Sequence, residues 1–392
     1  MPLVHLSDMI NHAYRHNYAV GAFGVANLHF LEGIMQAAEN CRAPVVLNLI
    51  EAHFENADFE LLMPAVIVAA RRASVPVAIN FDHGTSLASA ERGIRAGCNG
   101  VMVDTSALRF SDNLWQTRDI VTMAHACGVT VEGELGYVPG VEGENAKNHP
   151  GELTCTTAAE AKVYVERTGV DCLAVSVGTV HGRMKGSPKL DYARLAKIKE
   201  ATAVPLVIHG GTGLTDEQYR RLIANGVAKI NYYTALADAA NHRIRENVAA
   251  DRKGSYSVLM AGVSDAVREE TERCIRLWGS GGRAAEVLAQ CRSWQDVEHV
   301  VLYNVPDELS ESDVAAMMRE GKESLKSIPG VRGIRTGRAI QPDGKYRYCW
   351  LIGLASQSAV EVYRNHPAHL RFANEVFRPV AAGRLTLDFE ES

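Results

Sequence analysis

Residues 206–213 read Leu-Val-Ile-His-Gly-Gly-Thr-Gly, a short apolar run that ends in a histidine and a glycine-rich turn. Pro205 precedes the run, and β-branched residues bounded in this way predict a buried strand. Glycines let backbone N–H groups approach a phosphate closely, and an imidazole at a strand end can bind a metal ion. An ordinary strand-to-helix turn, with Thr212 capping the helix, explains the same residues. The neighbouring segments decide between the two interpretations.

Outward from this stretch, short apolar runs alternate with helix-compatible segments along most of the chain. The predicted strands are 19–23, 45–49, 77–81, 101–103, 129–134, 172–177, 206–209 and 229–231. The predicted helices between them include 28–40, 87–96, 114–127, 157–168, 192–201 and 216–225. Alternation of strand and helix repeated eight times predicts an α/β fold, a (β/α)8 TIM barrel, and a doubly wound open sheet is the alternative.

Helix boundaries support this division of the chain. Thr215 and Gln218 have the spacing of a capping box at the start of the segment 216–225. Glycines stand where four of the predicted helices should end, at Gly97, Gly128, Gly169 and Gly226.

Polar residues cluster at the C-terminal ends of the predicted strands, which in a barrel form one mouth. They are Asp82, His83, Asp104, Glu132, Glu134, His181, His209 and Asn231. One histidine at a strand end is usually structural, but three with interspersed carboxylates favour a divalent metal site. Zinc with three protein ligands keeps a position open for a substrate carbonyl and acidifies the adjacent carbon, which is the chemistry of aldol cleavage.

Composition limits the other possibilities. The 392 residues predict two domains, since a single core seldom grows this large. A net charge of −5 without any basic run predicts no nucleic-acid partner. The longest apolar stretch, 61–70, contains Pro64 and is too short to span a membrane. Eight cysteines without a C-x-x-C pair, and no visible export signal, predict free thiols in the cytoplasm.

The polar segments resemble those of the class II, zinc-dependent ketose-bisphosphate aldolases, which include fructose- and tagatose-bisphosphate aldolases. The most specific segments are Phe81-Asp82-His83-Gly84, Gly178-Thr179-Val180-His181-Gly182 and His209-Gly210-Gly211-Thr212-Gly213. Further matching segments are 22–23, 43–45, 101–104, 131–136, 229–231 and 279–284. The resemblance implies a class II aldolase-like barrel over residues 1–290.

The resemblance also implies roles for individual residues. His83, His181 and His209 would bind the catalytic zinc, with Glu134 and Asp104 as a polar surround or alternative metal position. Asp82 would move the proton at the C4 hydroxyl. Glu142, in Gly140-Val141-Glu142-Gly143-Glu144, matches the mobile-loop glutamate that abstracts the C3 proton. The dihydroxyacetone phosphate end would be bound by Gly182, Lys185, Gly210, Gly211, Thr212, Asn231 and Thr234, with a monovalent cation, Na⁺ or K⁺, beside the phosphate.

The chain departs from the family pattern at the other end of the substrate. Gly24 stands where the family has Asn, and Ile50 stands where it has a Ser or Thr that reaches the distal phosphate. Tyr233 and Ala237 replace the acidic residue and the distal-phosphate arginine. Placing a phosphate dianion without donors there would cost several kcal/mol, so an unphosphorylated aldehyde is predicted. Arg109, Arg183 or Arg268 could supply an anion site from another direction. Glu51 and His53 are expected to line the mouth or cap the following segment.

The pattern changes after a short predicted helix at 284–291. Strands at 297–305, 331–340, 346–354 and 384–389 and helices at 310–327, 356–364 and 367–377 predict a ferredoxin-like α+β domain over residues 296–392. This domain resembles the stress-responsive α/β-barrel (Dabb) family through 297–301, 328–331 and 363–369. The resemblance implies a homo-oligomer, a dimer or tetramer. His299, His366 and His369 are expected to support packing rather than form an acid/base or metal site.

Three functions are compatible with these residues. The leading one is a lyase that cleaves a phosphorylated ketose, a ketose 1-phosphate or 1,6-bisphosphate, to dihydroxyacetone phosphate and an aldehyde. A metal-dependent hydrolase could use the same histidines and aspartate to activate water. A non-catalytic phosphosugar-binding or assembly protein is the third hypothesis, because Gly24, Ile50 and Tyr233 depart from the family pattern.

Overall fold

A computed structural model describes residues 2–55, 57–138, 140, 155–184, 186 and 188–390. Eight parallel strands form a closed barrel in sequence order. The strands are β1 (Val20–Gly24), β2 (Val45–Ile50), β3 (Val77–Gly84), β4 (Gly100–Val103), β5 (Thr130–Leu135), β6 (Cys172–Val175), β7 (Leu206–Ile208) and β8 (Val227–Tyr232). Pairing of β1 with both β2 and β8 closes the sheet, so the predicted barrel is confirmed and the open sheet is wrong.

Helices surround the barrel. They are α1 (Leu6–Arg15), α2 (Leu28–Cys41), α3 (Phe59–Arg72), α4 (Leu87–Ala96), α5 (Phe110–Ala126), α6 (Ala158–Thr168), α7 (Tyr192–Thr202), α8 (Asp216–Ala224), α9 (Thr234–Ala250), α10 (Tyr256–Met260), α11 (Val263–Leu277) and α12 (Ala284–Gln290). The predicted capping box of Thr215 and Gln218 is present at α8. The sequence patterns did not predict helices α9 to α11, which follow β8. None of the helices in the described ranges combines the length and apolar character that a bilayer crossing requires.

The inside of the barrel is divided into an apolar layer and a polar layer. At the N-terminal end, Leu6, Met9 and Ile10 of α1 pack against inward-facing residues such as Val46 and Ala78. Inward positions alternate along each strand, so Ala78 is followed two residues later by Asn80 and then Asp82. The buried polar residues nearer the C-terminal ends are Asn48, Asn80, Asp82, Glu132, Glu134, Lys229 and Asn231. The mouth of the barrel is therefore polar although it is buried.

The second domain is a four-stranded antiparallel sheet with helices packed on it. Its elements are β9 (Val297–Asn304), α13 (Glu311–Leu325), β10 (Val331–Arg338), β11 (Tyr348–Leu354), α14 (Gln357–Asn365), α15 (Pro367–Arg371), a π-helical turn (Phe372–Phe377) and β12 (Ala382–Glu390). The sheet order β10-β11-β9-β12 is that of the predicted ferredoxin-like fold. The segment predicted as one helix, 367–377, is instead a short α-helix followed by the π-helical turn.

The second domain contacts the barrel at the end opposite the mouth. Ser356 Oγ donates a hydrogen bond to the carbonyl of Cys127 at 2.7 Å, and Arg332 donates to the carbonyl of Cys98 at 3.3 Å. Cys98 and Cys127 immediately precede β4 and β5, so they lie at the N-terminal ends of those strands. These contacts therefore lie away from the mouth of the barrel and do not cover it.

Candidate metal centre

Three histidines from different strands meet at the mouth of the barrel. His83 is the penultimate residue of β3, His181 follows β6, and His209 follows β7 by one residue. Nδ1 of His209 lies 3.0 Å from Nε2 of His83 and 3.4 Å from Nε2 of His181. The three predicted ligands thus present one nitrogen each to a common point, where they could hold a metal ion.

The other nitrogen of each ring faces an oxygen atom. His83 Nδ1 faces Asp104 at 3.3 Å, His181 Nδ1 faces the carbonyl of Val138 at 3.0 Å, and His209 Nε2 faces Glu132 at 2.8 Å. These oxygens are acceptors, so when the rings are neutral, as metal binding requires, the outer nitrogens carry the protons and the three inner nitrogens present lone pairs. Lone pairs cannot hydrogen-bond to one another, whereas a cation placed between them satisfies all three.

The spacing of the inner nitrogens fits a tetrahedral ion. Histidine nitrogens bind zinc at about 2.0–2.1 Å, and a tetrahedron of that size separates its ligands by about 3.3 Å. The two separations that involve His209, 3.0 and 3.4 Å, lie on either side of that value, and all three nitrogens lie within 4.8 Å of one another. Both the donor atoms and their spacing therefore suit such a metal ion.

Carboxylates make the site electronegative. Burial lowers the pKa of His83, but the carboxylates of Asp82, Asp104 and Glu134 outweigh it and raise that pKa to about 10. Burial, and then repulsion by Asp104, raises the pKa of Glu134 to about 7. Glu134 Oε2 is buried without a hydrogen-bond partner among the described residues, and it lies 3.6 Å from Nδ1 of His209. His83, Asp104 and Glu134 form a second group that could hold a cation, as the predicted alternative metal position requires.

Asp82 is held beside the histidines by amide groups. It is 1% exposed, and its carboxylate accepts hydrogen bonds from Asn48 at 2.6 Å and from Asn231 at 3.0 and 3.1 Å. One of its oxygens lies 3.9 Å from Nε2 of His83. Asp82 is therefore adjacent to the candidate metal position with its side chain fixed on both sides.

A buried ion pair below the histidines was missed by the sequence reasoning. Lys229 has no exposed surface, and its Nζ donates to Glu132 at 2.7 Å and to the side-chain oxygen of Asn231 at 2.5 Å. Burial alone would raise the pKa of Glu132, but Lys229 and His209 together lower it to about 2. The sequence did contain a signal for this pair. Residues two positions apart on a strand share a face, so Lys229 had to point into the barrel together with Asn231.

Of the predicted phosphate-binding residues that the structure describes, Gly182, Gly210, Gly211 and Thr212 lie in the loops after β6 and β7, Asn231 lies in β8, and Thr234 opens α9. A Cβ atom on Gly210 would lie 2.2 Å from the carbonyl oxygen of Val180, so only glycine permits this contact between the two loops. Thr234 is buried and opens α9, whose N-terminus can attract an anion. Gly182 and Gly211 are buried and Thr212 is partly exposed. The side chain of Asn231 is engaged by Asp82 and Lys229. Lys185 and Glu142 lie outside the described residues.

The three residues that depart from the family pattern lie on neighbouring strands. Gly24 ends β1, Ile50 ends β2 opposite Asp82, and Tyr233 follows β8. A Cβ atom on Gly24 would lie 2.8 Å from Cδ2 of Tyr233, so the tyrosine ring occupies the space of the missing side chain. The ring of His53 packs on Tyr233 with centroids 4.3 Å apart.

The three arginines that could have supplied another anion site each pair with a carboxylate, and Glu51 has hydrogen-bond partners. Arg109, Arg183 and Arg268 pair with Asp112, Asp238 and Glu272, respectively. Glu51 accepts hydrogen bonds from the backbone N–H of Thr85 and from Ser89 Oγ, both at 2.8 Å. Glu51 therefore anchors the loop after β3 and the start of α4, rather than the segment that follows β2.

The histidines of the second domain have structural partners. His366 caps α15 by accepting from the backbone N–H of Ala368 at 3.2 Å. His299 Nδ1 lies 2.6 Å from Asp388, and His369 Nδ1 lies 3.0 Å from the carbonyl of Arg364. These contacts agree with the packing role expected for the three residues.

Comparison with known proteins identifies the family of the barrel. Residues 4–283 match the family model described as fructose-bisphosphate aldolase class-II. The chain belongs to the class-II fructose-bisphosphate aldolase family. Unlike an aldolase barrel alone, this family member continues into residues 297–391, which match the stress responsive A/B barrel domain. The predicted fusion of an aldolase barrel with a Dabb domain is therefore confirmed.

Three relatives within the class-II aldolase family match over part of this chain and over nearly all of their own length. Fructose-bisphosphate aldolase of Geobacillus stearothermophilus is 39% identical over 291 residues, which are 73% of this chain and all of the relative. The probable fructose-bisphosphate aldolase of Bacillus subtilis is 36% identical over 72% of this chain and all of its own length. The crystal structure of the YdjI aldolase of Escherichia coli K12 matches with a TM-score of 0.63 and 32% identity, over 72% of this chain and 99% of that one. Aldolases are lyases, so the prediction of a lyase is confirmed at the level of the family.

Proposed function

We propose that this chain is a zinc-dependent class II aldolase that reversibly cleaves a phosphorylated ketose to dihydroxyacetone phosphate and an aldehyde. The observation that carries the proposal is the convergence of one ring nitrogen each from His83, His181 and His209, with Nδ1 of His209 3.0 and 3.4 Å from the other two. A bound zinc ion supplies Lewis acidity, which polarises a ketone oxygen and acidifies the protons on the neighbouring carbon. The names of the relatives support the same reaction class.

The remaining chemistry is proton transfer by side chains of the chain. Asp82 is proposed to take the proton from the C4 hydroxyl during cleavage and to return it during condensation, since it is fixed next to the metal position. Its two amide donors, Asn48 and Asn231, keep the carboxylate oriented. The base that removes the C3 proton is proposed to be Glu142, on the strength of its motif alone.

The phosphate of dihydroxyacetone phosphate is proposed to bind between the loops after β6 and β7. The backbone around Gly182, Gly210, Gly211 and Thr212 and the N-terminus of α9 at Thr234 supply N–H donors there. A monovalent cation beside this phosphate is part of the proposal. The hydroxyl oxygens of Ser176 and Thr179 are buried without a hydrogen-bond partner in the described part of the chain, so they are available as oxygen ligands.

The aldehyde half is proposed to be unphosphorylated, so the substrate is a ketose 1-phosphate. Gly24, Ile50 and Tyr233 carry no cationic group, and Ile50 is only 4% exposed. A phosphate dianion placed against these side chains would lose its hydration without gaining donors, at a cost of several kcal/mol. The names of the relatives favour a 1,6-bisphosphate, so the choice between the two substrates needs a direct comparison.

A coupled assay for dihydroxyacetone phosphate tests the proposal. Purified enzyme is supplied with fructose 1-phosphate and, separately, with fructose 1,6-bisphosphate, before and after treatment with a chelator and after readdition of zinc. We expect cleavage that the chelator removes and zinc restores, with the higher kcat/KM for the monophosphate. Cleavage that resists the chelator would contradict the metal mechanism, and comparable turnover of both ketoses would contradict the unphosphorylated aldehyde.

The second domain is proposed to hold copies of the chain together as a dimer or tetramer. Leu385, Leu387 and Phe389 of β12 are 40, 45 and 51% exposed, and they lie on the sheet face opposite the helices. Leu302 and Val300 are the cross-strand partners of the first two on β9. Light scattering of the full chain and of Leu387→Glu tests this, and an unchanged molar mass in the variant would contradict it.

A further inference from the structure

We infer that His53 and Tyr233 recognise the aldehyde half of the substrate, and that this half is a short uncharged hydroxyaldehyde. The imidazole of His53 would hydrogen-bond a hydroxyl of the aldehyde, and the ring of Tyr233 would pack against its carbon chain. The inference rests on the proposed aldolase function and specifies the substrate class of the same site.

The turn after β2 places His53 beside the reaction centre. Residues Glu51–Glu55 form a single 3₁₀ turn, and Glu51 ties that turn to the loop after β3 through Thr85 and Ser89. The same loop follows Asp82 and His83 directly. The two hydrogen bonds of Glu51 therefore fix the turn that carries His53 against the segment that follows His83.

His53 has hydrogen-bonding capacity that the protein leaves unused. Across the described ranges of the chain no hydrogen bond reaches its ring, and Nδ1 is buried without a partner. A buried polar atom without a partner is costly, and in native proteins it needs an explanation. The ring is only partly buried, so the side chain borders the mouth. A hydroxyl group both donates and accepts, and therefore pairs with either nitrogen of a neutral imidazole.

The surroundings of His53 favour the neutral form of its ring. Burial lowers the pKa of His53, the carboxylate of Asp82 opposes that effect, and His83 adds to it. A neutral ring in this position offers hydrogen bonds but no charge to neutralise a phosphate dianion. The neutrality of the ring agrees with an uncharged ligand, and the inference itself depends on the geometry.

The rest of the wall is apolar and aromatic. Tyr233 packs on His53 on one side and lies 5.8 Å from the ring of Phe30 on another. The absence of a side chain on Gly24 makes room for Tyr233, because a Cβ atom there would meet its ring at 2.8 Å. Ile50 completes the wall next to Asp82. Such a surface suits carbon atoms, with His53 as the polar contact for a hydroxyl.

The test measures aldehyde selectivity in the condensation direction. Dihydroxyacetone phosphate is combined with glyceraldehyde, with propanal, which lacks the hydroxyls, and with glyceraldehyde 3-phosphate. His53→Phe keeps a ring on Tyr233 and removes both nitrogens, and His53→Gln restores a hydrogen-bonding group. His16→Phe, on the C-terminal side of α1 at the opposite end of the barrel, is the matched control.

For wild type, we expect kcat/KM to be highest with glyceraldehyde. In His53→Phe the ratio of kcat/KM for glyceraldehyde to that for propanal should fall about tenfold, which corresponds to about 1.4 kcal/mol. His53→Gln should keep a larger part of the ratio, and His16→Phe should keep all of it. If the phenylalanine variant does not fold, His53→Leu replaces it in the same comparison.

Two outcomes overturn the inference, and a third measurement separates it from the proposed function. An unchanged ratio in the variants would show that His53 does not recognise a hydroxyl, and a wild-type preference for glyceraldehyde 3-phosphate would show that the aldehyde half is not uncharged. Exchange of the C3 proton of dihydroxyacetone phosphate with deuterated water, followed by NMR, needs no aldehyde. Wild-type enzyme without exchange refutes the aldolase proposal itself, whereas normal exchange with an unchanged ratio refutes only the role of His53.

Discussion

Replacing Lys229 with methionine tests whether the ion pair beneath the histidines holds the barrel together. Methionine keeps most of the apolar stem and removes the charge. Lys229 is completely buried, and its Nζ lies 2.7 Å from Glu132. Glu132 is 1% exposed, so the substitution leaves a carboxylate in the barrel without its cation. Removing one partner of a buried pair costs about 3–5 kcal/mol, a large part of the stability of a typical domain.

Urea unfolding of wild type, Lys229→Met, Glu132→Gln and the double variant measures this cost. Glutamine removes the negative charge of Glu132 and keeps an oxygen that accepts from His209. We therefore expect the double variant to recover most of the stability that the lysine variant loses, with a coupling of about 2 kcal/mol or more. A lysine variant within about 1 kcal/mol of wild type, or a double variant in which the two losses simply add, would refute the reasoning.

The pH dependence of stability offers a second check on the same pair. The pKa of Glu132 in the folded chain, about 2, lies below its ordinary value of 4.5. The carboxylate therefore contributes stability that is present above pH 4.5 and is lost as the pH falls toward 2. Lys229→Met removes the principal partner that lowers this pKa, so we expect its stability to change less across that range than that of wild type.

Three further predictions follow from single contacts. Asp82→Ala should retain bound zinc by metal analysis while forming no dihydroxyacetone phosphate, and full turnover would contradict its assigned role. Gly24→Ala should lower the free energy of unfolding by about 1–3 kcal/mol, because its Cβ atom would meet Tyr233 at 2.8 Å. Adding Tyr233→Ala should relieve this strain. If Gly24→Ala costs as much stability with Tyr233→Ala as without it, the clash is contradicted. The hydrogen bond to Asp171 raises the pKa of His125 above its ordinary value of 6.5. The stability that this hydrogen bond contributes is therefore complete below pH 6.5 and is lost as the pH rises through the raised pKa. Between pH about 6 and about 8, the free energy of unfolding should fall more for wild type than for His125→Gln. Equal falls in the two proteins would exclude the effect.

Much of the candidate site could be predicted because a parallel barrel gathers strand ends. Once strands alternate with helices, residues at their C-terminal ends must share one mouth, so His83, His181 and His209 were expected together. The structure brings a nitrogen of His209 within hydrogen-bonding distance of both His83 and His181. His53 escaped a specific assignment because its position depends on a 3₁₀ turn anchored through Glu51, a contact that spans 34 residues.

Local patterns in the chain were enough to predict the eight strands, the capping box of Thr215 and Gln218, and the histidines at the mouth. Hydrophobic periodicity and turn chemistry act between near neighbours, and they survive in a linear sequence. Closure of the barrel decided which nitrogen of each imidazole faces the centre and that Lys229 meets Glu132, 97 residues away. Those contacts depend on distances across the barrel and on the loss of water from its interior, which no pattern along the chain expresses.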